Sequence, residues 1–323
     1  MANPVFNFET AKREQCKASI LVEGLSGRGK SGLALILGYG LAGKDWTKVF
    51  HIDTENNSAK LFAGIDSSLG NAFDGFKVGN LTEDVGFKPS NYIAFRESAK
   101  RAGAKVVIKD SISHAWQYKG GILDLVAIAK TKNTHYAKDK YAAWGDEEVV
   151  KEKNELIQLI RDKDVHIITT VRVKEKMEYV PGVDGNTLKS MGDQQIQQAD
   201  LKYEPDLVLH MLKPGSAKNG VITHPVAKVT KSRYAILEVD QEYEFTPALI
   251  DQIRSYLEEG ADPKEILEHQ RQDYIKAVKE TLDNKPGLKP IWLVLKKDAG
   301  HDKTKLEDMP LDILKGLFIK LID

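Results

Sequence analysis

Eight consecutive residues, Gly24-Leu25-Ser26-Gly27-Arg28-Gly29-Lys30-Ser31, have the spacing G-x-x-x-x-G-K-[ST] of a phosphate-binding loop. Glycines let backbone N–H groups turn toward phosphate oxygens, and a following helix adds partial positive charge at its N-terminus. Lys30 would reach the outer phosphates of a nucleotide, and the Ser31 hydroxyl would face Mg²⁺, with Gly32 the last of the candidate nucleotide-binding residues in this run. An acid to order the metal is expected at the carboxyl end of another strand. Asp110, ending the apolar run Val106-Val107-Ile108, meets that requirement. A second strand, Val49-Phe50-His51-Ile52-Asp53, continues into Thr54-Glu55 and makes Glu55 the candidate for polarising an attacking water. Two alternatives stay open there: Glu55 caps a helix beginning near Asn57, or Asp53 exchanges roles with it.

Those groups need elements to hold them. Residues 18–23, 48–53, 105–109, 165–171 and 206–211 read as short buried strands, with helical periodicity over 31–41, 92–102 and 146–161 between them. Strands alternating with helices predict an α/β fold, a mostly parallel central sheet flanked by helices. Ligand chemistry then gathers at the carboxyl ends of the strands. Residues 224–239 predict an antiparallel hairpin with its polar tip at Lys231 to Arg233, and 175–200 predicts a long, net acidic loop. From Pro247 onward the chain reads as helical, with a stop at Gly260 and an interruption at 285–290. The expected division is a core over 1–245 and a small helical region over 246–323.

The 323 residues carry 47 Lys and Arg against 47 Asp and Glu, so any grip on nucleic acid must come from local patches. The single cysteine, Cys16, excludes an intramolecular disulfide framework and a Cys-based metal site, and suits a reducing compartment. No apolar run approaches the roughly 18 residues of a membrane span, and the N-terminus lacks a long apolar core. A soluble, cytoplasmic protein with no membrane partner is the expectation.

Further residues admit two readings each. Lys231 and Arg233, two apart on the hairpin, either reach a neighbouring subunit's nucleotide as trans-acting fingers or are ordinary exposed cations. Lys130, Lys132, His135, Tyr136, Lys138 and Lys140 interleave cations with aromatic rings, which suits single-stranded DNA and equally suits a solvated surface segment. Trp116 and Trp144 either stack on bases or belong to a core. Polar groups ending the strand at 165–171 (Thr169, Thr170, Arg172, Lys174) are positioned to sense a terminal phosphate.

The run KDSISHAWQYKGGILDLV at 109–126, AAW at 142–144, HIITTVRVKEKMEYV at 166–180, LKYEPDLVLHM at 201–211 and KVTKSR at 228–233 together resemble the RecA-like P-loop ATPases. Within that group they look like the phage-encoded AAA-type nucleotide-binding proteins related to small single-strand annealing ATPases. The resemblance covers roughly residues 17–240. It implies a RecA-like core, ATP and Mg²⁺ as ligands, and hydrolysis by a homo-oligomeric ring or filament on single-stranded DNA in the cytoplasm of a phage's host. A single-strand-binding protein or another replication or recombination protein is an implied further partner. Residue by residue it implies Lys30, Ser31 and Asp110 for phosphate and metal, Glu55 as catalytic base, and Lys231 with Arg233 as trans-acting fingers. It also implies Arg172 and Lys174 at a DNA-binding segment. Thr170 stands where the group carries a glutamine, and its side chain is shorter and has no amide. Two competing functions are a nucleotide-gated partner or loader protein and, more weakly, a small-molecule phosphotransferase, for which no Arg-rich lid is evident.

Overall fold

The computed structural model describes residues 10–132, 141–182, 185–212 and 224–322. Two compact units are present, Lys17–Leu257 and the pair of segments Met1–Cys16 and Glu258–Asp323.

In the larger unit, five parallel pairings build the sheet from β1 (Ser19–Gly24), β2 (Val49–Asp53), β3 (Lys77–Asn80), β4 (Val106–Asp110), β5 (His166–Gly182) and β7 (Leu207–Met211). The order is β3-β2-β4-β5-β1-β7, extended by antiparallel β8 (Val226–Ser232) and β9 (Glu242–Glu244), while β6 (Gly185–Gln195) pairs with the outer part of β5. The α/β class and the mostly parallel central sheet flanked by helices agree with the sequence expectation.

Strand alternation divides the core. Ile20, Val22, Val106, Ile108 and Ile168 face α1 (Lys30–Leu41), while Leu21, Val107 and Ile167 face the opposite layer. That layer holds α2 (Pro89–Arg101) and α5 (Glu147–Gln158), between which the chain forms α3 (Ser113–Gln117) and α4 (Ile122–Lys132). Both sheet faces are thereby covered, which is why the strand runs are apolar almost without interruption.

Three expectations change. The segment read as a loop over 175–200 is mostly two paired strands, β5 continuing to Gly182 and β6 returning from Gly185. The hairpin tip does not lie at Lys231–Arg233: β8 runs through Lys231, residues 234–240 form the turn, and the return strand is the short β9. The division at 245/246 falls instead at 257/258, because α6 (Pro247–Glu258) buries Ile250, Ile253 and Leu257 in the α1-side core.

The smaller unit contains α7 (Pro263–Asn284), α8 (Lys289–Asp298) and α9 (Leu311–Ile322), closed around Val278, Trp292, Met309 and Leu314. Asp262 caps α7 by accepting from the Lys264 N–H, with Pro263 at the first helical position. The N-terminal segment joins this unit through a bridge between Glu14 and Ala261. No helix among the described residues is long and apolar enough to cross a membrane.

Candidate functional site

β1 delivers the chain into Gly24, and α1 begins at Lys30. Between them Gly27 and Gly29 have φ of 74° and 84°, left-handed values that favour glycine. Gly29 occupies the N-cap position of α1 and no side chain caps that helix, so its first-turn N–H groups keep no side-chain acceptor. The Lys30 ammonium folds back on the loop, donating to the Leu25 carbonyl at 3.0 Å. Burial lowers its pKa from the ordinary lysine value, against the opposing pull of Asp110 and Glu55.

Asp110 lies on the α1 face of β4, since it shares strand parity with Val106 and Ile108. The same parity brings His51 from β2 and Thr170 from β5 to that face. Ser31 and Thr170 donate their hydroxyls to the two carboxylate oxygens of Asp110, one to each. His51 Nε2 stands 3.7 Å from Oδ2, too far for a hydrogen bond. Burial alone would raise the Asp110 carboxyl, but the His51 ring and the two hydroxyls outweigh it and hold the pKa at about 2. Asp110 is therefore an ionised acid in a nearly closed site, 2% exposed and in direct contact with the loop's own serine.

A layer of polar side chains fixes the turn after Asp110. Thr54 Oγ1 shares its one proton between the Asp110 and Ser111 carbonyls, at 3.0 and 3.2 Å, and accepts from the Ser111 N–H at 2.8 Å. Tyr92 donates to the Ser111 carbonyl at 3.0 Å, and His114 Nδ1 lies 2.6 Å from Thr54 Oγ1. Burial, with Arg172 nearby, pushes His114 down to about 4, so the ring is neutral near pH 7. Thr54, Tyr92, His114 and His51 are not among the candidate site residues of the sequence reading. Their signal, a polar residue inside or beside an apolar strand, is the same one that a satisfied core residue gives.

Glu55 lies beyond β2, where its carboxylate takes both Arg172 Nη2 at 2.8 Å and Arg172 Nε at 2.9 Å. Asp53 does not share the role: its two oxygens accept from the Glu55 and Ala59 N–H groups, both at 2.7 Å, and cap the turn that follows. Glu55 is thus free of the capping duty that was the alternative reading of its position. Arg172 pairs in register with Gly24, which sets it beside the first residue of the phosphate loop. Thr170, committed to Asp110, sits one strand over from the loop rather than facing it.

The remaining candidates are distributed differently. Lys130 and Lys132 form the end of α4, while His135, Tyr136, Lys138 and Lys140 lie outside the described residues. Trp116 and Trp144 pack on each other with ring centroids 6.1 Å apart and against the second core, which accounts for both rings structurally. Lys174 is exposed near the root of the β5–β6 pair. Lys231 donates to the carbonyls of Tyr203 and Pro205 at 2.5 and 2.6 Å, and Arg233 pairs with Asp206 at 2.9 Å. Both cations stand near the start of β7, the opposite end of the strands from the phosphate loop.

Next to the loop is a cleft of about 290 Å³, bordered by Gly29, Gly32, Phe73, Met211, His224 and Pro225. His224 Nδ1 is buried there with no hydrogen-bond partner among the described residues. Neither a protein-family model nor a curated protein matches this chain.

Proposed function

We propose that this chain is a Mg²⁺-dependent ATP hydrolase with a RecA-like core, acting on single-stranded DNA as an oligomer. The observation that carries the hydrolase reading is the contact between Ser31 and Asp110: two distant segments converge on an oxygen-donor pair beside the ammonium of Lys30. A hydroxyl and one ionised carboxylate suit Mg²⁺, a hard cation that keeps several waters and is completed by substrate phosphates. Bound there, Mg²⁺ would neutralise charge on the outer phosphates.

The chain's own residues supply the rest. The loop N–H groups and Lys30 hold the phosphates, and Lys30 offsets the charge that develops as the terminal phosphoryl group departs. Glu55 accepts a proton from the attacking water. The water oxygen bonds to phosphorus, the bridging P–O bond breaks, and ADP leaves. Phe73, Met211 and Pro225 give the adjacent cleft apolar walls that fit a flat base, and His224 Nδ1, without a partner among the described residues, offers it a polar contact.

The DNA reading draws support from the family resemblance and from the placement of cations. Lys130 and Lys132 end a helix that leads into 133–140, and Lys174 flanks the root of the β5–β6 pair. Lys231 and Arg233 would act on a neighbour's nucleotide only after leaving their present carbonyl and carboxylate partners.

ATP turnover measured with and without single-stranded DNA, with particle size followed in the same samples, tests this. The expected result is DNA-stimulated turnover by larger assemblies, with Glu55→Gln retaining assembly and losing turnover by roughly a hundredfold or more. Turnover indifferent to DNA, with no DNA-bound assembly, would transfer the protein to the class of nucleotide-gated partner proteins.

A further inference from the structure

Glu55 is the candidate base, yet its carboxylate is held by a guanidinium. Arg172 applies Nη2 and Nε to the same Oε1, and its Nη1 donates to the Tyr118 hydroxyl at 3.2 Å. A carboxylate in this grip has its lone pairs directed at a cation and is a poor acceptor for a proton from water.

The backbone at both ends of the pair is fixed. The Glu55 N–H donates to Asp53 at 2.7 Å. The Arg172 N–H donates to Ser113 Oγ at 3.0 Å, and its carbonyl accepts from the Ile196 N–H at 2.8 Å. Only the side chains need move for the pair to open. About three-tenths of each side chain is exposed, so solvent screening keeps the pair modest in strength.

Arg172 has a second partner within reach once nucleotide is present. Its position in register with Gly24, and the electrostatic influence of both Glu55 and Arg172 on Lys30, set the pair beside the ammonium that holds the outer phosphates. A terminal phosphate carries more charge than a carboxylate and presents three oxygens, matching the planar fork of an arginine. A nucleoside diphosphate lacks that group.

We propose that Arg172 is a positioning residue that latches Glu55 in the nucleotide-free site and exchanges it for the terminal phosphate of a bound triphosphate. The base is then released only when the molecule to be hydrolysed is in place. This rests on the nucleotide reading given above.

The test is a double-mutant cycle on binding, which needs no turnover. Affinities for ADP and for a non-hydrolysable ATP analogue, each with Mg²⁺, are measured on the full chain in four forms: wild type, Glu55→Gln, Arg172→Gln and the double variant. Freeing Arg172 by Glu55→Gln raises affinity for the triphosphate roughly tenfold and leaves ADP unchanged. On the Arg172→Gln background the same change at Glu55 alters neither affinity.

If the gain persists without Arg172, it reflects relief of repulsion between carboxylate and phosphate, and the latch is overturned. The absence of any gain overturns it as well. ADP affinity in each form reports an intact loop; should Arg172→Gln lose it, Arg172→Lys replaces it in the cycle. A lysine keeps the charge without the fork, so the gain from Glu55→Gln shrinks there, and a full tenfold gain with lysine refutes the fork geometry. A wild-type chain that binds neither nucleotide refutes the nucleotide reading itself, and the latch with it.

Discussion

Surroundings lower the pKa of both Asp110 and His166, which leaves the acid charged and the imidazole uncharged. Asp110 is kept ionised down to about pH 2 by the groups around it, whereas His166, at the start of β5, is kept neutral. Its Nδ1 accepts the Ala18 N–H at 3.0 Å, and burial first, then Lys17 and Lys105, lowers its pKa from 6.5 to about 3. The unfolded chain therefore binds a proton at His166 between those values and the folded chain does not. Stability is complete above pH 6.5 and falls as the pH drops toward about 3. The loss attributable to this residue at about pH 5 is about 2 kcal/mol. Urea unfolding at about pH 5 and pH 8 should show His166→Asn reducing the pH-dependent loss by that amount, with a remainder from His114, whose pKa of about 4 acts in the same direction. An unchanged pH dependence in the variant would refute the assignment. Residue types at Lys30, Ser31, Asp110 and Glu55 were legible because the proposed phosphate chemistry would restrict both identity and spacing. Arg172 was legible as a strand-end cation for phosphate or DNA, but not as the partner of Glu55. Whether such a cation meets a DNA phosphate, a nucleotide or a carboxylate depends on a partner 117 residues away in the chain.

At the level of elements, α1 follows the glycine-rich loop and must lie close to its neighbours. A Cβ added at Gly40 would fall 2.1 Å from Ile250 Cγ2 of α6. Alanine in place of glycine within a helix ordinarily gains about 1 kcal/mol. Here overpacking costs about 1–3 kcal/mol, so Gly40→Ala should be destabilising in thermal or urea unfolding. The penalty should vanish on an Ile250→Ala background, where the opposing methyl is gone; a stabilised Gly40→Ala protein would show that the two helices do not meet as described. The parallel strands were readable as apolar runs because both sheet faces are covered. The β5–β6 pair was not, since Pro181-Gly182 and a run of charged residues give the signals of a loop. β3 is only Lys77–Asn80, four residues with a glycine, which offers too little pattern to distinguish from a turn.

At the scale of the whole molecule, the sequence marked the helical C-terminal region but set its boundary one helix too early. An amphipathic helix carries no record of which core accepts its apolar face, and α6 gives Ile250, Ile253 and Leu257 to the larger unit. A truncation after residue 245 would strip those side chains from that core, so a separation of the two units has to follow Leu257. The balanced charge of the chain directs attention to local sites, and the loop from Gly24 to Ser31 is the one on which the functional account depends. The decisive measurement is calorimetric titration of the wild-type chain and Lys30→Ala with ATP, in the presence and absence of Mg²⁺. The account predicts a single Mg²⁺-dependent site in the wild type, weakened roughly tenfold or more in the variant. Equal affinity in the two proteins, or no binding by the wild type, would contradict it.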